Sequence, residues 1–174
     1  MKNNTVGDGP IAYLLCGISA SGKTTLARRL QAEGAVLLSV DEEMWNSYGS
    51  GFTELPSEEQ RRLTLATEEN LRHRMALLLK EGEDVVVDSC LCKRFKRDAF
   101  REAAIEVGAT PKLIYLTAPK EELLRRLSSR EGKAHDDIIV TAEQLERFLQ
   151  NFQPPQADEE IWPIPVTSAV NKVK

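Results

Sequence analysis

The sequence predicts an α/β fold: a mostly parallel sheet of about five strands between layers of helices, a three-layer sandwich with a short lid. Three observations predict it. Short apolar runs alternate along the chain with segments of helical periodicity. The first run leads straight into Gly17-Ile18-Ser19-Ala20-Ser21-Gly22-Lys23-Thr24, a turn that needs a strand before it and a helix after it. Two later runs end in aspartates, Asp41 and Asp88, where strands of such sheets face a common crevice.

The elements follow in order. Residues 1–10 read as a short flexible tail, and residues 11–174 as a single domain without repeats. Ile11 to Cys16 is a buried strand, and Thr25 to Leu30 continues as a helix that Gly34 closes. Ala35 to Val40 is the second strand, and Ser47 to Pro56 reads as a loop. Ser57 and Gln60 fit a capping box, followed by Leu63, Thr67, Leu71, Met75 and Leu78 at helical spacing up to Gly82. Val85 to Asp88 is the third strand. Phe100, Ala103, Ala104 and Val107 mark one face of the helix that Gly108 ends. Lys112 to Thr117 is the fourth strand. Pro119 opens a helix with Glu121 and Glu122 in its first turn. Arg125 to Asp137 is polar and strongly charged, and a short mobile lid is expected at about residues 126–140. Thr141 and Gln144 form a second capping box, with Leu145, Phe148, Leu149 and Phe152 as its apolar stripe. Ile161 to Thr167 reads as a fifth strand, held to the sheet edge by its prolines.

Composition bounds the function. The chain has 174 residues, 41% hydrophobic and 29% charged, with a net charge of −4. That suits a soluble domain with its own core and supplies no global attraction for nucleic acid or anionic membranes. No apolar stretch is long enough to span a bilayer and no signal peptide is evident, so the expected location is the cytoplasm. Three cysteines argue against a disulfide framework. Cys16 reads as a small buried hydrophobe. Cys90-Leu91-Cys92, with His73 and His135, matches no zinc spacing.

The glycine-bounded turn has the pattern G-x-x-x-x-G-K-S/T. Its glycines let successive N–H groups point at a phosphate, Lys23 adds a mobile positive charge, and the Thr24 hydroxyl is placed for Mg²⁺. The following helix aims its dipole at the same anion. Gly17, Ser19, Ala20, Ser21, Gly22, Lys23, Thr24 and Thr25 are therefore the nucleotide-binding set. Asp88 is assigned to the metal with Thr24, and Asp41 to the proton of an attacking hydroxyl. Either aspartate also suits a helix cap or a solvated strand end. Arg126 and Arg130 share a helix face and can close over phosphates. They equally suit a solvated face paired with Glu121 and Glu122. Trp45, Tyr48 and Phe52 stack on an acceptor or pack under their loop. Arg94 and Arg97 grip an anion or form an exposed helix face.

The order of these motifs — phosphate loop, Leu38-Ser39-Val40-Asp41, Val87-Asp88-Ser89 with a basic helix, then Arg126-x-x-x-Arg130 — resembles the P-loop kinases that include bacteriophage polynucleotide kinase and the zeta toxins. The likeness covers roughly residues 11–153. It implies a P-loop kinase-like domain with lid arginines Arg126 and Arg130, using ATP and Mg²⁺, with Asp41 as general base. Polynucleotide kinases carry an arginine three residues after that aspartate. Met44 stands there instead, among Glu42, Glu43 and Trp45. Zeta toxins are longer. Asn171-Lys172-Val173-Lys174 lacks the aspartate of a guanine signature, which favours ATP. The expected reaction is γ-phosphoryl transfer from ATP to a hydroxyl of a small molecule: a nucleoside, sugar, sugar nucleotide or antibiotic. The alternatives are a 5′-hydroxyl polynucleotide kinase and a regulatory ATPase. No motif addresses oligomeric state.

Overall fold

The computed structural model describes residues 9–129 and 141–164. Its strands are β1 (Ile11–Cys16), β2 (Val36–Ser39), β3 (Val85–Asp88) and β4 (Thr110–Tyr115). All neighbouring pairs are parallel, in the order β2-β3-β1-β4. The helices are α1 (Lys23–Ala32), α2 (Val40–Tyr48), α3 (Ser57–Lys80), α4 (Arg94–Glu106), α5 (Lys120–Ser128) and α6 (Ala142–Asn151), with a 3₁₀ segment at Gly49–Glu54. Residues 1–8 of the expected tail, residues 130–140 of the expected lid and residues 165–167 of the expected fifth strand lie outside the described residues.

Side-chain alternation along the strands builds the three layers. Ala12, Leu14 and Cys16 of β1 and Val85 and Val87 of β3 face α3 and α4, where they meet Leu71, Met75, Leu79, Phe100 and Ala104. Leu15 and Val86 face the other way, onto Leu26, Ala27 and Leu30 of α1. Both faces are covered, which is why the strands read as continuous apolar runs rather than alternating ones. A third cluster, Ile18, Ala20, Leu123 and Leu145, packs α5 and α6 beneath the loop that follows β1.

Several boundaries differ from the sequence reading. β2 ends at Ser39, and Val40 already belongs to α2. The segment 47–56 is largely helical: α2 runs to Tyr48 and the 3₁₀ turn follows it. Ser57 forms no capping box, because Pro56 occupies the N-cap and Ser57 the first helical position. Gln60 instead donates back to the carbonyls of Leu55 and Thr53, at 2.8 and 3.3 Å. The Thr141–Gln144 capping box is present as expected. Among the described residues the expected fifth strand makes one parallel bridge, Leu113 with Ile161, closed by the Trp162 amide on the Leu113 carbonyl at 2.7 Å. Pro163 comes next and has no N–H to extend the ladder. Among the described residues the sheet therefore has four strands, and no helix is long and apolar enough to cross a membrane.

The segment after α6 is tied back by a buried ion pair. Arg97 is 1% exposed and meets Glu159, also 1% exposed, through two parallel bonds of 2.6 and 2.8 Å. Its Nη1 group donates to the carbonyls of Leu91 (3.0 Å) and Gln153 (2.9 Å). Arg97 thus belongs to the fold rather than to an acceptor or an exposed face. Arg94 is bound likewise, in a fork on Asp158 at 3.0 and 2.6 Å.

Removing one partner strands a buried charge. Glu159→Ala is expected to cost about 3–5 kcal/mol in urea denaturation. Hydrogen bonding from Arg97 holds the Glu159 carboxyl below its ordinary value. A lowered carboxylate pKa stabilises the fold above the unfolded value of about 4.3 and loses that contribution as pH falls through the folded value. Wild-type stability should therefore fall more steeply below that pH than the stability of Glu159→Gln, as read by denaturation at a series of pH values.

Candidate active site

The site lies beyond the carboxyl ends of β1 and β3, where parallel sheets bind ligands. Leu15 pairs with Asp88 in the ladder, so the loop leaving β1 and the carboxylate ending β3 emerge side by side. The Gly17 amide donates to the Cys90 carbonyl at 3.2 Å, and Leu116 N–H to Cys16 O at 2.8 Å, so both neighbouring strands brace the loop. Ala20 adopts φ 65°, a left-handed conformation costly for a residue with a Cβ. Gly22 at φ 102° serves as the N-cap of α1.

Within this loop the Lys23 ammonium donates to the Ile18 carbonyl at 3.0 Å, folded back over the turn. Thr24 Oγ1 donates to Asp88 Oδ2 at 2.8 Å. Thr24 and Asp88, 64 residues apart in sequence, therefore meet as the sequence reading expected. Asp88 is buried, at 7% exposure, and so is Ser89, at 5%. Two features suit the loop to a phosphate. No side chain caps α1, and its first turn holds no acidic residue. Ser21 Oγ is buried without a hydrogen-bond partner among the described residues. The Thr24 hydroxyl and the Asp88 carboxylate are hard oxygen donors, which suits Mg²⁺.

Asp41 stands in the first turn of α2, not at a strand end. It follows Ser39, which pairs with Asp88 in the β2–β3 register, so it leaves the sheet at the same end. Ser39 Oγ caps the helix by accepting the Glu42 amide at 3.3 Å. Ion pairs of Arg28 with Glu42 and of Arg74 with Glu43, the latter 3.1 Å, fasten α2 to α1 and α3 on either side. Arg126 reaches the loop: Nη1 donates to the Ala20 carbonyl at 3.0 Å while Nε donates to Glu122 at 2.7 Å. Arg125 and Arg126 together hold the Glu122 carboxyl down to about 2. Contact with the loop and pairing with a first-turn glutamate thus coexist in one side chain. Arg130 lies outside the described residues. Of the aromatics, Phe52 packs against the core and Tyr48 is 41% exposed, their ring centroids 6.3 Å apart.

Residues 13–155 match the model of AAA_33, described as an AAA domain. The chain belongs to this family of P-loop kinases. The chain is 33% identical over 118 residues to the adenylyl-sulfate kinase of Myxococcus xanthus (strain DK1622), a match covering 64% of this chain. The chain spans 60% of the length of that relative. A gluconokinase from Sinorhizobium meliloti 1021 has the same fold at a TM-score of 0.59 and 20% identity, over 87% of this chain and 80% of that one. A chain of the Pnkp1/Rnl/Hen1 RNA repair complex matches at a TM-score of 0.67 and 19% identity, over 87% of this chain and 46% of that one.

The structure adds residues to the site of this AAA_33 domain. A cavity of about 510 Å³ opens beside the loop, lined by Ser21, Gly22, Thr25 and Arg126 and also by Leu26, Arg29 and Ser129. Arg29 is four residues after Thr25 on α1, a helical-spacing signal that pointed to the same face. On the other side of Asp88, Glu68 of α3 is buried at 7% exposure. It accepts from Lys96 at 2.6 and 2.9 Å and from Ser89 Oγ at 3.3 Å. Glu68 sits three and seven residues before the buried Leu71 and Met75, so a charge on the core-facing stripe was its sequence signal.

Close approach fixes the first glycine. A Cβ at Gly17 would meet the Leu116 carbonyl oxygen at 2.4 Å, and backbone cannot move aside. Gly17→Ala is expected to cost about 1–3 kcal/mol in urea denaturation. Gly51→Ala, with nothing within 4 Å of its Cβ, should stay within about 0.5 kcal/mol of wild type.

Proposed function

We propose that this chain is an ATP-dependent phosphotransferase that moves the γ-phosphoryl group to a hydroxyl of a small molecule. The observation that carries the reading is the 2.8 Å bond from Thr24 to Asp88 at the mouth of the phosphate loop. A hydroxyl on the first helical turn and a buried carboxylate on the adjacent strand are the pair that phosphoryl transfer needs beside its phosphates. The curated relative, an adenylyl-sulfate kinase, and the gluconokinase of the same fold support the class.

The residues divide the work. Loop amides, Lys23 and the orphaned Ser21 hydroxyl hold the nucleotide's phosphates. Thr24 and Asp88 would hold Mg²⁺, which would neutralise phosphate charge. Asp41 orients the acceptor hydroxyl and takes its proton. Arg126, extending over the loop from α5, adds positive charge where the transferring group becomes most anionic. Arg130 is assigned the same role on sequence grounds. The cavity between α1 and α5 takes the rest of the nucleotide.

A polynucleotide acceptor is the second reading, supported by the fold shared with a chain of the RNA repair complex. Against it stand the net charge of −4 and Met44. That side chain is 4% exposed and receives the Thr67 hydroxyl at 3.0 Å, so the position is part of the core. A nucleotide-binding switch is the third.

Asp41→Asn separates transferase from switch. It should keep ATP affinity by calorimetry while ATP-dependent mass gain of a responsive hydroxyl compound falls about 10²–10⁴-fold. In a switch the change would leave function intact. Asp88→Asn should weaken ATP binding with Mg²⁺ present and change it little with EDTA. Oligonucleotide binding that weakens steeply with rising salt would move the assignment to the polynucleotide reading.

A further inference from the structure

Consecutive residues at the end of β3 are held from opposite layers of the fold. Side chains alternate along the strand: Val85 and Val87 face α3 and α4, and Val86 faces α1. The alternation continues past the valines. Asp88 turns to α1, where Thr24 Oγ1 donates to its Oδ2 at 2.8 Å. Ser89 turns to α3, where its Oγ donates to Glu68 Oε1 at 3.3 Å. Ladder pairing of β3 stops at Asp88, so Ser89 lies just beyond the sheet. Glu68 itself is buried, on a stripe of α3 whose other buried members are Thr67, Leu71, Met75 and Leu79. Lys96 of α4 takes both its oxygens, at 2.6 and 2.9 Å. A buried ion pair is often no more stabilising than apolar side chains of the same volume. An apolar residue would continue the stripe, so stability alone does not account for a carboxylate here.

We infer that Glu68 is a positioning residue that sets the Asp88 carboxylate for Mg²⁺ through the Ser89 hydroxyl. The inference rests on the assignment of Asp88 to the metal in the proposed function, and it stands whatever the phosphoryl acceptor is. With Ser89 held on one face of β3 and Asp88 on the other, the end of the strand cannot roll about its axis, and Asp88 stays beside Thr24. Lys96 balances the charge of Glu68, so the hold adds no net negative charge next to bound phosphates. Releasing Ser89 frees the last peptide of β3 to turn. Metal affinity then falls while the phosphate loop is untouched, the effect expected of a group that orients a metal ligand without touching the metal.

The test is calorimetry of a non-hydrolysable ATP analogue on the full-length chain, once with Mg²⁺ and once with EDTA. The quantity read is the ratio of the two affinities, which a loss of stability alone does not move. Ser89→Ala and Glu68→Leu should each lower that ratio about 2–10-fold, the worth of one hydrogen bond, with little change in EDTA. Glu68→Gln, whose amide oxygen still accepts from Ser89, should recover most of it. Thr67 sits beside Glu68 but donates to Met44 Sδ of α2, at 3.0 Å, so Thr67→Val should leave the ratio unchanged. A ratio that Ser89→Ala leaves at the wild-type value overturns the inference. So does an equal loss in EDTA, or a drop of the same size in Thr67→Val, since either would mean general loosening of α3. Asp88→Asn separates the two levels of the argument. If it lowers the ratio and Ser89→Ala does not, the positioning role falls alone; if it leaves the ratio unchanged, the metal assignment falls as well. Should circular dichroism show Glu68→Leu unfolded, Ser89→Ala decides, because it removes one hydroxyl and leaves the Glu68–Lys96 pair in place.

Discussion

Parallel pairing of β1 with β3, in the register that sets Leu15 beside Asp88, is the constraint on which the rest of the molecule depends. A parallel ladder delivers both strands to the same edge, so the loop after β1 and the acid ending β3 cannot part without breaking the sheet. The Ser39–Asp88 pairing carries the same edge one strand further, to the start of α2. The register is defended by burial on both faces. Slipping β3 by one residue would exchange Val85 and Val87 with Val86 between the two halves of the core and turn Asp88 over.

Charge is used in two ways. Surface pairs such as Arg62–Glu59 and Arg147–Glu143 lie in solvent and contribute little to stability. The Arg97–Glu159 pair is closed to solvent, and Nε, Nη1 and Nη2 of Arg97 each donate a hydrogen bond. Its effect reaches the site. Arg97 holds the Leu91 carbonyl, and the neighbouring Cys90 carbonyl accepts the Gly17 amide. The segment after α6, distant from the phosphate loop in sequence, thereby braces the chain that leaves Asp88. The Glu68–Lys96–Ser89 cluster does similar service from α3 and α4.

The two sides of the site are built differently. On the nucleotide side the loop, α1 and Arg126 of α5 surround a defined cavity. On the other side, α2, the 3₁₀ turn and the start of α3 carry Asp41, Trp45 and the partly exposed Tyr48. These elements are joined to the body through exposed ion pairs and the packing of Met44 and Phe52. The fold is shared by a gluconokinase and by a chain of an RNA repair complex.

By itself the sequence determined what is local and repeated: the strand–helix alternation, the glycine loop with Lys23 and Thr24, the Thr141–Gln144 box, the helix ends at Gly34, Gly82 and Gly108, and the meeting of Thr24 with Asp88. Each depends on neighbours along the chain or on the rule that parallel strands end together. Tertiary structure decided the rest. Ser57 lost its cap to a proline one residue away, and Asp41 moved from strand end to helix because Ser39 supplied the N-cap. Arg97 became a core residue because Glu159, 62 positions later, folds onto it, and Glu68 became a buried anion because Lys96 and Ser89 meet it there. A charge's role depends on its partner and its distance from water, and both are set by packing between segments far apart in sequence.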